Sequence, residues 1–449
     1  MPSLGARKPV PAMTTRSFPQ YTSMRERPSR LAPQEAIREK VGGEHPTYAG
    51  TFRCIGPQCE DTCCGDWDIP VDKITYLKYR HFPAEALGSL VSHFVSACEG
   101  NPHDNLYASI RRKPDGSCPF FGEDRLCSIE KDYGARLLSS TCSIYPRSLT
   151  VVGGVLEGSL SLSCPEAARL VLLNENSTQK TGDLLSGQFR TDNTFGVREH
   201  LGLEAVILPL RALIVDLISD RSRPIWQRLL MMTALCSRLD SVSDHDMVSA
   251  TVVLARYRNA LGQGSSSELD QLPADLVSRL EVAIALSNQR CQDRACGRRF
   301  RDVFWDFIEG IGSADSQGAD EDAHRFRYAS VNHLEPLLSE APFILENYLL
   351  NYMYQHLFPF GRAGSDRFVA HTMSEEAVLL IVQYSWMTTL LTGVAARHGP
   401  TFGKAHLITT VQSFTRAVEH TPQILEDALV FVRSRELDTL SGLARLLRT

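Results

Sequence analysis

Four cysteines stand within eleven residues, 54 to 64, in the run CIGPQCEDTCCGDWDI. Thiols at this density suit metal or iron–sulfur ligation, redox chemistry or a disulfide. The spacings are Cys54-x4-Cys59, Cys59-x3-Cys63 and then Cys64 directly. No Cys-x2-Cys knuckle occurs anywhere in the chain. That knuckle is the turn that aims two sulfurs at one tetrahedral zinc. Wider spacing suits a larger object such as a multi-iron cluster, with zinc as the alternative. Neighbouring side chains diverge, so Cys63 and Cys64 do not easily reach one metal together. One arrangement sends one thiol to the metal and the other to the core or to a second site. A vicinal disulfide is strained and is disfavoured in a reducing compartment.

Nine of the twelve cysteines lie between 54 and 164. Eight of them are candidate metal ligands: Cys54, Cys59, Cys63, Cys64, Cys118, Cys127, Cys142 and Cys164. Cys118 and Cys164 each precede a proline, as does the last cysteine of some cluster-binding runs. Eight thiols make two four-ligand sites, or one cluster plus buried free cysteines, and the sequence does not choose. Cys98 and Cys236 sit in apolar-periodic stretches and read as small core residues. Cys291 and Cys296 form a separate pair in a basic stretch. The Cys-x3-Cys-x2-Cys run of radical S-adenosylmethionine enzymes is not matched, because Asp66 stands where its third cysteine belongs.

The elements that must position these thiols divide into three. Residues 1–45 are basic and rich in Pro and Ser, without the apolar core of a signal peptide, and read as a disordered basic extension. Residues 46–170 read as a small, irregular, cysteine-rich metal-binding region of short elements and turns. Residues 171–449 read as a helical domain, from apolar residues at three- and four-residue spacing. The fold class expected is therefore mainly α, an α-rich α+β. GSLSLSC (158–164) alternates like a strand, and Pro165 opens a helix. Residues 377–396 carry no charge over twenty positions, but several Thr, Ser and Gln residues point to a buried helix rather than a membrane span. The net charge of −5 gives no sign of nucleic-acid binding. The compartment read from the absence of an export signal is the cytoplasm, where thiols stay reduced. Oligomeric state is not legible.

The run CIGPQCEDTCCGDWDIPVDKITYLKY resembles the start of the FliB-type flagellin lysine N-methylases, with their cysteine-rich zinc- or iron-chelating domain. CPFFGEDRLCSIEKDYG, TCSIYPR and LSLSCPEAARL resemble later blocks of that family in the same order. ILENYLLNYMYQHLFPFG (344–361) and TVQSFTRAVEH (410–420) extend the likeness through the helical half. One departure is Asp66 directly before Trp67, where the family has glycine. The resemblance implies methyl transfer from S-adenosylmethionine to lysine ε-amines of flagellin, and an iron–sulfur cluster, with [4Fe-4S] the expected type.

Lysine attacks a methyl donor only when neutral, and its ordinary pKa is about 10.4. A methylase must therefore desolvate the amine or place a base beside it. The helical blocks supply Tyr348, Tyr352, Glu419 and His420 as candidate catalytic residues. The competing reading is ordinary packing for the two tyrosines, and a helix-dipole position for His420. No glycine loop of the dinucleotide-binding kind is evident, so the sequence locates no S-adenosylmethionine site. The reading from another class is a non-catalytic cysteine-rich zinc- or iron-binding module.

Overall fold

A helix of twenty uncharged residues is stable in water only when other elements enclose it. In the computed structural model that stretch is the centre of the molecule. The structure describes residues 45–448 apart from 66–68, 83–84, 100–103, 153–154, 182–194, 197–203, 243–245, 265–266, 294–295, 313–318 and 362–371. The basic extension expected at 1–45 therefore lies almost wholly outside the described residues.

The fold is mainly α, as expected. Short strands come first: β1 (Ile69–Val71), β2 (Val95–Ala97), β3 (Ala108–Ile110), β4 (Arg147–Val152), β5 (Val155–Leu160) and β6 (Phe195–Gly196). β1 and β2 both pair antiparallel with β3. β4 pairs antiparallel with β5, and β6 adds to β4 in parallel. The helices that matter here are α1 (Lys73–His81), α2 (Glu85–Phe94), α3 (Ser140–Ile144), α4 (Pro165–Leu172), α5 (Glu204–Ser219), α6 (Ile225–Asp240), α7 (Leu276–Gln292), α8 (Arg298–Ile311), α9 (Phe343–Gln355), α10 (Met373–His398), α11 (Lys404–Phe414), α12 (Pro422–Arg433) and α13 (Leu440–Leu447).

Helix α10 holds the uncharged run, and every residue from 376 to 395 is buried. It starts at a capping box: the Thr372 hydroxyl accepts from the Glu375 N–H at 3.2 Å, and the Glu375 carboxylate accepts from the Thr372 N–H at 3.1 Å. Most of its polar groups are paired inside the core, Gln383 Oε1 being the exception. Thr389 and Thr392 donate to carbonyls one turn back at 2.6 and 2.9 Å. Gln383 donates to the Tyr352 hydroxyl at 3.0 Å. Buried polar groups are tolerated when paired in this way.

Helix α8 crosses α10 at glycines. A Cβ on Gly310 would stand 2.0 Å from the Gly393 carbonyl oxygen, and one on Gly393 would stand 2.3 Å from the Phe307 ring. The glycines at 310 and 312 read from sequence as cap and loop. Gly312 is the left-handed cap, whereas Gly310 is a packing residue inside the helix.

The apolar residues form two main cores. The larger joins the helical half to earlier residues, including Phe52, Leu160 and Leu162. Residues on either side of the boundary near 170 thus share one core. The smaller gathers around β1–β3 and α1–α2 and includes Cys118.

Gly310→Ala should lower stability by about 1–3 kcal/mol through overpacking against backbone. Gly88→Ala, at a helical site with nothing within 4 Å of the added Cβ, should raise it by about 0.5–1 kcal/mol. Thermal or urea unfolding of the two variants checks the contrast.

Candidate functional site

The segment 54–64 has little apolar content with which to pack, so polar ties must hold it. Arg416 supplies the main one. Its guanidinium donates to the Asp61 carboxylate at 2.9 Å, to the Thr62 carbonyl at 2.6 Å, and to the Gly65 carbonyl. Gln412 donates to Asp61 at 2.8 Å and to the Ser163 carbonyl at 2.9 Å. Both side chains come from the far end of the chain, from α11 and the single π turn Thr415–Glu419 that continues it.

Arg169 of α4 grips Glu60 through two nitrogens, at 2.6 and 3.1 Å, and holds the Glu60 carboxyl below its usual range. Cys164 is the residue before α4, and Pro165 opens that helix as the sequence predicts. Asp72 fixes α3: it caps α1 through the Thr75 N–H and accepts from both N–H and hydroxyl of Ser140, each at 2.9 Å. Burial would raise the Asp72 carboxyl, but these bonds outweigh it and hold the group low.

These ties surround a cavity of about 1120 Å³. Seven of the eight predicted thiols line it: Cys54, Cys59, Cys63, Cys64, Cys127, Cys142 and Cys164. Cys118 is buried behind it, its N–H donating to the Cys64 carbonyl at 2.8 Å. The Cys63 and Cys64 sulfurs are 4.0 Å apart. Four arginines (Arg53, Arg125, Arg136, Arg147) and two carboxylates (Asp61, Glu130) complete much of the lining.

The Cys64 thiol donates to Cys63, and this, with the charge of Arg416, holds Cys63 down at about 7. The same pairing pushes Cys64 up. Burial pushes Cys118 up to about 11 and Cys142 and Cys164 up to about 12.

All-thiol donors suit iron–sulfur clusters and zinc alike. Among the described residues, no three Cys, His, Asp or Glu side chains stand close enough together to hold one ion.

The candidate catalytic residues fall in two places. His420 is exposed and its Nε2 lies 3.1 Å from both Ser161 Oγ and Ser163 Oγ. Ser163 lines the cavity and is 3.0 Å from the hydroxyl of Tyr145, which lines it too. Tyr348, Tyr352 and Glu419 do not line it. Glu419 is buried, accepting from the Tyr348 hydroxyl at 3.1 Å and facing His356 Nε2 at 3.1 Å. The positioning pairs Arg169–Glu60 and Arg416–Asp61 were not legible as pairs. The only signal was two acids interleaved with cysteines in CEDTCC. Cys291 and Cys296 do meet, with sulfurs 3.7 Å apart, but away from this cavity.

A helical domain whose last third clamps a cysteine-bearing loop around a cavity defines a helical protein with a thiol-lined site. Residues 211–446 match the profile of the FliB lysine N-methylase C-terminal domain, and the chain belongs to that family. Lysine-N-methylases of Salmonella choleraesuis (strain SC-B67) and Salmonella typhimurium (strain LT2) are each 32% identical over 161 residues, 35% of this chain and 39% of theirs. The flagellar biosynthetic protein FliU of Salmonella muenchen is 30% identical over 161 residues, 34% of this chain and 94% of its own. The match therefore spans about two fifths of the length of the two lysine-N-methylases. No solved structure matches.

In metal-free protein, Cys63 should be alkylated ahead of buried Cys118 and half-buried Cys142, with a midpoint at about pH 7. Arg416→Met removes a lowering charge, so that midpoint should move up. It should also cost about 2–3 kcal/mol of stability by leaving Asp61 poorly paired. Mass spectrometry of iodoacetamide-labelled peptides across pH reads the first, and urea unfolding the second. An unchanged midpoint would remove Arg416 from the electrostatics of the loop.

Proposed function

We propose that this chain is a cytoplasmic protein-lysine N-methyltransferase. It carries the methyl group of S-adenosylmethionine to lysine ε-amines of flagellin, and it depends on an iron–sulfur cluster held by its cysteines. Family membership supports the transfer, and the names of the Salmonella relatives support lysine and the flagellum. The observation that carries the reading is the cavity of about 1120 Å³, lined by seven thiols. It lies just above the usual size range for small-molecule sites.

In the transfer, the amine lone pair forms the new N–C bond as the C–S bond of the sulfonium breaks. S-adenosylhomocysteine leaves, and a proton must leave the nitrogen. The amine has to be neutral first. Four arginines around the cavity disfavour an entering ammonium and lower its pKa. The path Tyr145, Ser163 and His420 offers the proton a way from the cavity to solvent, with His420 as the terminal base. Tyr348, Tyr352 and Glu419 act as positioning residues in this scheme. They brace the π turn that carries Arg416 and precedes His420. When bound, an iron–sulfur cluster supplies electron transfer.

Anaerobic purification with iron, zinc and sulfide analysis tests the cluster, and methyl transfer to purified flagellin tests the activity. Matched iron and sulfide with broad visible absorption is expected. Cys59→Ala and Cys63→Ala should then lower transfer at least about a hundredfold, and His420→Asn should cost about 10²-fold with a changed pH profile. Colourless protein with stoichiometric zinc and no transfer would instead leave a non-catalytic metal-binding module.

A further inference from the structure

The eight thiols do not form one shell, because they pack against different cores. Cys118 is buried in the small core around β1–β3, and Cys64, Cys127 and Cys142 pack against that same core. Cys164 packs against the large helical core instead. Cys54 and Cys63 are exposed and Cys59 half-buried, and among the described residues none of these three belongs to either core.

Backbone and side-chain ties follow the same division. Besides the Cys118–Cys64 bond, Cys127 bridges across to Phe121, whose N–H donates to the Cys118 carbonyl at 3.1 Å. Cys142 enters on α3, pinned by Asp72 to the N-terminus of α1, which follows β1. On the other side, the Arg169–Glu60 fork joins the loop of Cys54, Cys59 and Cys63 directly to the helix that Cys164 precedes.

The Cys63 and Cys64 sulfurs stand 4.0 Å apart. This pair is therefore where the two groups of thiols meet.

We propose that the chain holds two four-thiolate iron–sulfur centres side by side. Cys64, Cys118, Cys127 and Cys142 form an inner one, and Cys54, Cys59, Cys63 and Cys164 an outer one. The chain passes from the outer to the inner between Cys63 and Cys64. This rests on the preceding reading that the thiol array binds iron. The inner centre is embedded in the small core. The outer centre carries the exposed thiols Cys54 and Cys63.

The test uses full-length protein, purified and reconstituted anaerobically with iron and sulfide. Iron and sulfide per chain are measured for wild type, Cys54→Ala, Cys164→Ala and Cys142→Ala, and electron paramagnetic resonance is recorded after reduction. Each single variant should keep about half of the wild-type iron. Cys54→Ala and Cys164→Ala should lose the same signal, and Cys142→Ala the other one. Combining Cys54→Ala with Cys142→Ala should remove nearly all iron. The proposal fails if any one substitution empties the protein, or if either outer variant keeps its full iron content. Circular dichroism reports folding. Should Cys142→Ala not fold, the two outer variants still decide, since Cys54 is exposed and belongs to neither core. A wild type without iron would sink the metal reading itself; a single centre would sink only this division.

Discussion

The Arg416–Asp61 pair is the interaction on which the site depends. It joins residues 355 positions apart, and both side chains are mostly buried. Segment 54–64 has almost no apolar anchor of its own. Without the guanidinium, two carbonyls would lose this donor and Asp61 its charged partner, leaving Gln412, Arg169, Arg125 and Arg299 to hold the loop. A buried charge pair is weak evidence for net stability, because desolvation offsets the attraction. What it supplies here is position: two guanidinium nitrogens hold Asp61, Thr62 and Gly65 at once, which fixes the placement of the loop. The arginine in turn is positioned by the π turn. That turn is braced from inside by Glu419 with Tyr348 and His356, and from the side by Arg290, which donates to the Ala417 carbonyl at 2.6 Å.

This arrangement explains why the cysteines and the helices belong to one unit although the composition separates them. The helical half builds a large core around α10, to which residues 54–64 contribute nothing. The cysteine-bearing part has a small core, in which Cys118 occupies a place that an aliphatic residue would fill elsewhere. Small cores need added cross-links of some kind. Here they are charged and polar: Asp72 to Ser140, Glu60 to Arg169, and Asp61 to Arg416.

Much of the fold was legible because its signals are local. Helix α10 could be read from twenty uncharged positions, and the start of α4 from Pro165. The gathering of eight cysteines was legible as a set from their clustering in sequence. Their division was not, because it depends on which core each thiol touches. Tyr348 and Glu419 were chosen as chemically able residues, but ability says nothing of direction. Within the π turn, Glu419 points into the helical core, whereas Arg416 reaches the cysteine loop. Gly310 was misread because a close helix crossing leaves no mark on the sequence of either helix alone.

The thiol environments also tie the fold to the chemistry. A protonated cysteine is a small hydrophobe, and burial keeps Cys118, Cys142 and Cys164 protonated at neutral pH. The metal-free chain can therefore fold with these side chains as ordinary packing. Any metal that enters must displace their protons, so loading is favoured as pH rises and opposed as it falls. Cys63 differs, since a neighbouring thiol and Arg416 already favour its thiolate. It is also exposed. Deprotonating Cys63 therefore costs no packing, whereas a metal bound by the buried thiols would replace packing with metal bonds.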